Sequence, residues 1–144
     1  MAKIETMNAF LRQNAEQKTE VEYVASKRFT DTNGDPMLWR LRSLTNKELE
    51  RIIDRNTKNI QVKGTREIQK EYDQAAAQME MTLASVVYPD LTNEELQQSY
   101  EAVGAEELLK TMLTPGELAD LHLAVSEASD FDAGMANKIK QVKN

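Results

Sequence analysis

The chain contains no cysteine. Disulfide frameworks, cysteine-ligated metals and thiol nucleophiles are excluded together. Histidine occurs once, at His122, so the commonest general base near neutral pH has no second copy to work with. Glycine is scarce: five residues, at 34, 64, 104, 116 and 134. None belongs to a run that cradles phosphate, and none flanks a serine in a nucleophile elbow. No apolar stretch approaches the roughly 18 residues of a membrane-spanning helix. Met1 to Gln17 is polar and lacks the apolar segment of a secretion signal. The expected location is therefore the cytoplasm, with no membrane partner.

Charge is abundant but unbalanced. Asp and Glu number 24 against 18 Lys and Arg, for a net charge of -6. Nucleic-acid binding needs clustered cations to neutralise phosphates. Lys27-Arg28, Arg40-Leu41-Arg42 and Lys138-Ile139-Lys140 are too short to supply such a cluster, so no nucleic-acid partner is expected. The acids do not assemble a reaction centre either. Glu94-Glu95 and Glu106-Glu107 fall in first turns of predicted helices, where negative charge answers the helix dipole. Asp31-Thr32-Asn33-Gly34-Asp35 superficially resembles a calcium loop. Counted from Asp31, however, its glycine falls at four and Arg42 stands where the closing glutamate belongs. His122, flanked by Leu118, Leu121 and Val125, reads as a structural helical residue. No enzyme activity, metal or cofactor is expected.

With 144 residues, the chain suits about one domain. Residues 1–20 are expected to form a mobile arm, and 21–144 a single domain with a hairpin over 21–42 and a helical part over 45–142. Val21, Tyr23 and Ala25 alternate with Glu22, Val24 and Ser26, and Trp39 and Leu41 with Arg40 and Arg42, the period of a strand. Asn33-Gly34 supplies the turn between them. Thr45 with Glu48 forms a capping box that starts a helix with Leu49, Ile52 and Ile53 as its stripe. Ile68, Tyr72, Ala75, Ala76, Met79, Leu83 and Val86 recur at steps of three and four. They predict the longest helix, near 66–87, closed by Tyr88-Pro89. Thr92 with Glu95 predicts a short helix closed by Gly104, and Ala105–Leu113 another. Thr114, Pro115 and Glu117 combine cap, first-position proline and N3 acid. Asp132 with Met135, Ile139 and Val142 predicts a last helix. The fold class expected is mainly α, an N-terminal β-hairpin followed by a bundle of about six helices.

Four stretches stand in a fixed order. They are Ala84-Ser85-Val86-Val87-Tyr88-Pro89-Asp90-Leu91, Glu95-Leu96-Gln97-Gln98-Ser99-Tyr100, Gly104-Ala105-Glu106-Glu107-Leu108-Leu109-Lys110 and Met112-Leu113-Thr114-Pro115-Gly116-Glu117. This series resembles the central signature of the XkdN-like tail assembly chaperones, found in contractile-tailed phages and phage-like elements of Gram-positive bacteria. Ser26-Lys27-Arg28-Phe29, Asn33-Gly34-Asp35-Pro36 and Trp39 are similar to that family's N-terminal part. The resemblance covers roughly 20–132. It implies a non-catalytic protein of the host cytoplasm that binds the helical tape-measure protein, with the tail-tube protein as a second partner, and is absent from the finished particle. A structural tail or head–tail connector component that stays in the particle is the alternative, and self-association is left open. No family site residue carries over. The residues themselves nominate Trp39, Leu108, Leu109, Met112, Leu118 and Leu121 as a partner-gripping face. For any one of these side chains, a place in the core is the favoured reading.

Overall fold

The structure, a computed structural model, describes residues 6–130. Residues 6–20 are solvent-exposed throughout and hold a short 3-10 helix, Met7–Phe10, followed by a turn in which Ala15 N–H donates to Leu11 C=O. The final helix expected around Met135, Ile139 and Val142 lies outside the described residues.

The predicted hairpin forms. Strand β1 (Val21–Tyr23) pairs antiparallel with β2 (Trp39–Leu41), Tyr23 opposite Trp39 and Val21 opposite Leu41. Its alternation is that of the sequence: Trp39 and Leu41 are buried and Arg40 points to solvent. Asp31 shapes the turn. Its carboxylate accepts the N–H groups of Asn33 and Asp35, while Met37 N–H donates to Phe29 C=O at 2.7 Å. Helix α1 (Asn46–Arg55) follows, with the Thr45–Glu48 capping box formed in both directions.

The expected long helix is not there, and the mainly α class is corrected with it. The segment divides into strand β4 (Ile68–Tyr72), helix α2 (Gln74–Ser85) and strand β5 (Val86–Tyr88). The stretch expected as a connector supplies strand β3 (Thr57–Gln61), paired antiparallel with β4. The misreading has a simple origin. Ile68 and Tyr72 lie four apart, a spacing that puts side chains on one face of a helix and equally of a strand. Gly64, at φ 85, and the Thr65 N–H to Val62 C=O bond close the hairpin instead. Asp73, whose carboxylate accepts Ala76 N–H at 3.1 Å, is the true start of the helix. Val86–Tyr88 then leaves α2 to add an antiparallel strand beside β2, giving the sheet order β1-β2-β5.

Three further helices complete the described chain: α3 (Glu94–Ser99), α4 (Ala105–Met112) and α5 (Pro115–Ala128). The cap of α3 is Asn93, one residue beyond the Thr92 expected, because the Thr92 hydroxyl is taken by Asp90 at 2.6 Å. Gly104 caps the start of α4, at φ 91, and does not close α3. The architecture is α+β: five helices and five strands in two antiparallel sheets among the described residues. Trp39 and Leu41 from the sheet, Leu108, Leu109 and Met112 from α4, and Leu121 and Val125 from α5 meet in one core.

Two N3 glutamates tie this frame together. Arg42, just past β2, donates to both oxygens of Glu48, at 2.9 and 2.5 Å. Arg28 donates to Glu117 at 2.8 Å and to Met112 C=O at 2.6 Å. The Arg42 guanidinium, with the Thr45 N–H, lowers Glu48 to about 2. The Ser26 hydroxyl, the Thr114 N–H and Arg28 lower Glu117 to about 2 as well.

Two outcomes follow from this frame. Above the ordinary carboxylate range of about 4.5, both glutamates are ionised folded and unfolded, and their stabilisation is present in full. As pH falls towards about 2, the unfolded chain binds the protons first, so stability drops through that window. Urea titrations read by Trp39 fluorescence should show this slope, and Glu48→Gln with Glu117→Gln should flatten it. Separately, Leu108→Ala or Leu121→Ala removes a fully buried side chain and should cost about 2–5 kcal/mol in the same titration.

Candidate functional site

The side chains nominated from the sequence are brought together, but inward. Trp39, Leu108, Leu109, Met112 and Leu121 are all buried, and Leu118 packs half-buried against them. In this conformation the five buried side chains belong to the domain's own core, and Leu118 keeps part of its surface exposed.

Apolar surface is exposed elsewhere. On α1, only Ile52 of the predicted stripe is buried. Leu49 and Ile53, one turn apart, flank it and face a groove. The groove's other wall is Gln74, Gln78 and Met81 of α2, with Tyr72 at the end of β4 and Ser126 of α5 closing it. Its volume is about 330 Å³. Ile53 is 38% exposed and Tyr72 44%. A trough with apolar walls and a few amide and hydroxyl groups suits the apolar face of an amphipathic helix, read at one-turn spacing. Sequence reasoning missed it because Leu49, Ile52 and Ile53 looked like one buried stripe. Their i, i+4 spacing was visible, but which member faces inward depends on what packs against the helix.

Polar side chains tie α2 to its neighbours. Thr82, fully buried on α2, sits 2.6 Å from His122 Nδ1 on α5. Ser85, also fully buried, donates to Arg42 C=O at 2.6 Å. Asn56 bridges Ile52 C=O and Glu80, both at 2.7 Å, joining α1 to α2. Burial lowers the His122 pKa below its usual 6.5. Glu94, Glu95, Glu106 and Glu107 occupy first helical turns, as their sequence positions suggest. Among the described residues no group of three or more His, Asp and Glu is placed to hold a metal ion. No described helix is long and apolar enough to cross a membrane.

The model of the phage XkdN-like tail assembly chaperone proteins matches residues 7–143. The chain belongs to this family. The chaperone is 26% identical over 143 residues to the uncharacterized protein YqbN of Bacillus subtilis (strain 168), covering 99% of this chain and 95% of that one. It is 25% identical over 126 residues to the phage-like element PBSX protein XkdN of the same organism, covering 87% and 84%. The crystal structure of YqbN superposes with a TM-score of 0.74 at 24% identity, over 90% of the chaperone and all of that chain. This likeness shows the α+β fold in a solved structure.

The His122 contact carries a pH prediction. With its folded pKa lowered by burial, the unfolded chain binds a proton more readily below about 6.5. Stability is therefore unaffected above that pH and falls as pH drops below it. Thermal melts between pH 7.5 and 5.5 should show the decline, and His122→Gln should remove it.

Proposed function

We propose that the chaperone holds the tape-measure protein in the groove of Leu49, Ile53, Tyr72 and Met81 and so keeps it available while the tail tube assembles, without catalysing a reaction. The observation that carries this reading is that exposed apolar trough between α1 and α2. A long helical partner left bare would aggregate through its apolar stripe, and a trough of this shape shields such a stripe. The net charge of -6 keeps the pair soluble. The tail-tube protein is the second partner in this reading, and the host cytoplasm is where assembly takes place.

Co-expression with a tape-measure fragment, followed by size exclusion, tests it. The fragment alone should be insoluble, and with the chaperone it should elute as a stoichiometric complex. Burying a large apolar side chain is worth about 1.5–3 kcal/mol. Ile53→Lys with Tyr72→Lys should therefore weaken the complex at least about tenfold while leaving the fold's melting behaviour close to that of the parent. Undiminished binding by this double variant would remove the groove from the reading. Mass spectrometry of purified particles should find the chaperone missing; many copies there would make it a structural tail component.

A further inference from the structure

The β3–β4 hairpin stands apart from the domain in both shape and charge. Every residue of β3 and β4 is exposed except Thr57, which is half-buried at the root. The sheet is two-stranded, so both outer edges are unpaired among the described residues. A lone two-stranded ribbon is marginal in water, and a free edge is a template for another strand. Ile68 is 67% exposed. In an acidic chain, residues 57–72 carry Lys58, Lys63, Arg66 and Lys70 against only Glu67 and Glu71. None of the four cations makes an ion pair among the described residues.

The opposite features lie elsewhere on the chain. Strand β5 is an edge of the three-stranded sheet, with Val87 and Tyr88 exposed. Beside it a groove of about 470 Å³ is lined by Tyr88, Pro89, Asp90, Asn93, Glu95, Leu96 and Ser99. From Asp90 to Glu107 there are six carboxylates and no Lys or Arg. Val103, on the same stretch, is 86% exposed. A cationic ribbon with free edges and an anionic groove beside a free edge are complementary in charge, hydrogen bonding and apolar content. A second copy of the chain supplies both halves.

We propose that the β3–β4 hairpin of one copy docks against the β5 edge and carboxylate-lined groove of a second copy, joining chains head to tail. Docked head to tail, with each copy's ribbon on a different neighbour, the contact propagates into rings or filaments. It shares only Tyr72, at the root of β4, with the α1–α2 trough, and it does not depend on what that trough binds.

Sedimentation velocity on the full chain, over a wide concentration range, tests it. Species larger than dimers should grow with concentration, and raising salt from ~50 mM to ~500 mM should weaken association at least tenfold by screening. Lys63→Glu with Arg66→Glu should be monomeric, as should Glu94→Lys with Glu95→Lys. Mixing the two variants restores opposite charge at each junction and should restore assembly. Circular dichroism of each variant separates lost association from lost folding. A parent chain that stays monomeric overturns the proposal, as does assembly that neither reversal diminishes. A monomeric parent whose hairpin variants lose the tape-measure fragment would instead assign the ribbon to a foreign occupant.

Discussion

Arg42 is the residue on which the frame turns. Its backbone N–H donates to Ser85 C=O, its own C=O accepts the Ser85 hydroxyl, and its guanidinium grips Glu48. A single position thus joins β2 to the end of α2 and to the first turn of α1. The link works because Glu48 is already held by the helix it caps: the carboxylate that closes the Thr45 box is the one the guanidinium finds. Arg28 and Glu117 repeat the arrangement at α5. Charge-assisted bonds of this kind fix geometry as well as energy, and the Arg42–Glu48 pair is two-pronged. They let a three-stranded sheet of very short strands hold its angle to the helices.

With the sheet and helices so fixed, the large apolar side chains have one place to go. Trp39, Leu41, Leu108, Leu109 and Leu121 fill the interior. The hydroxyls of Thr82 and Ser85 are buried among them at no polar loss, because every buried side-chain polar atom among the described residues has a partner. α1 is held at its N-terminal end by Arg42 and at its C-terminal end by Asn56. Between those points its flank stands away from α2, and the trough of Leu49, Ile53 and Met81 is the space left. The groove is a by-product of how the helix is anchored.

What could be read from the sequence was what is encoded locally. Thr45-Glu48 and Thr114-Pro115-Glu117 each specify a helix start within four residues, and both formed. Trp39, Arg40 and Leu41 alternate, and they face as that alternation says. The Asp31 turn needs only its own neighbours. What could not be read depends on distant parts of the chain. Ile68 and Tyr72 satisfy both periods, and only their pairing with β3 decides between them. Val86–Tyr88 is too short to show any period, and it is a strand because β2 lies beside it. Leu108, Leu109 and Leu121 were visible as an apolar set, but whether such a set faces in or out is a property of the packed molecule. The family signature was legible throughout, since ordered short motifs survive such ambiguities.

The β3–β4 ribbon leaves and rejoins the body at one point, where Asp73 N–H meets Asn56 C=O at 2.8 Å. The domain therefore senses only the stem, not what lies beyond it. Adding or deleting a cross-strand pair beyond that stem would lengthen or shorten the ribbon and leave the interior untouched. Such a site is a ruler with an adjustable end. A lineage can retune how far the molecule reaches, and what it touches there, while the folded body stays the same.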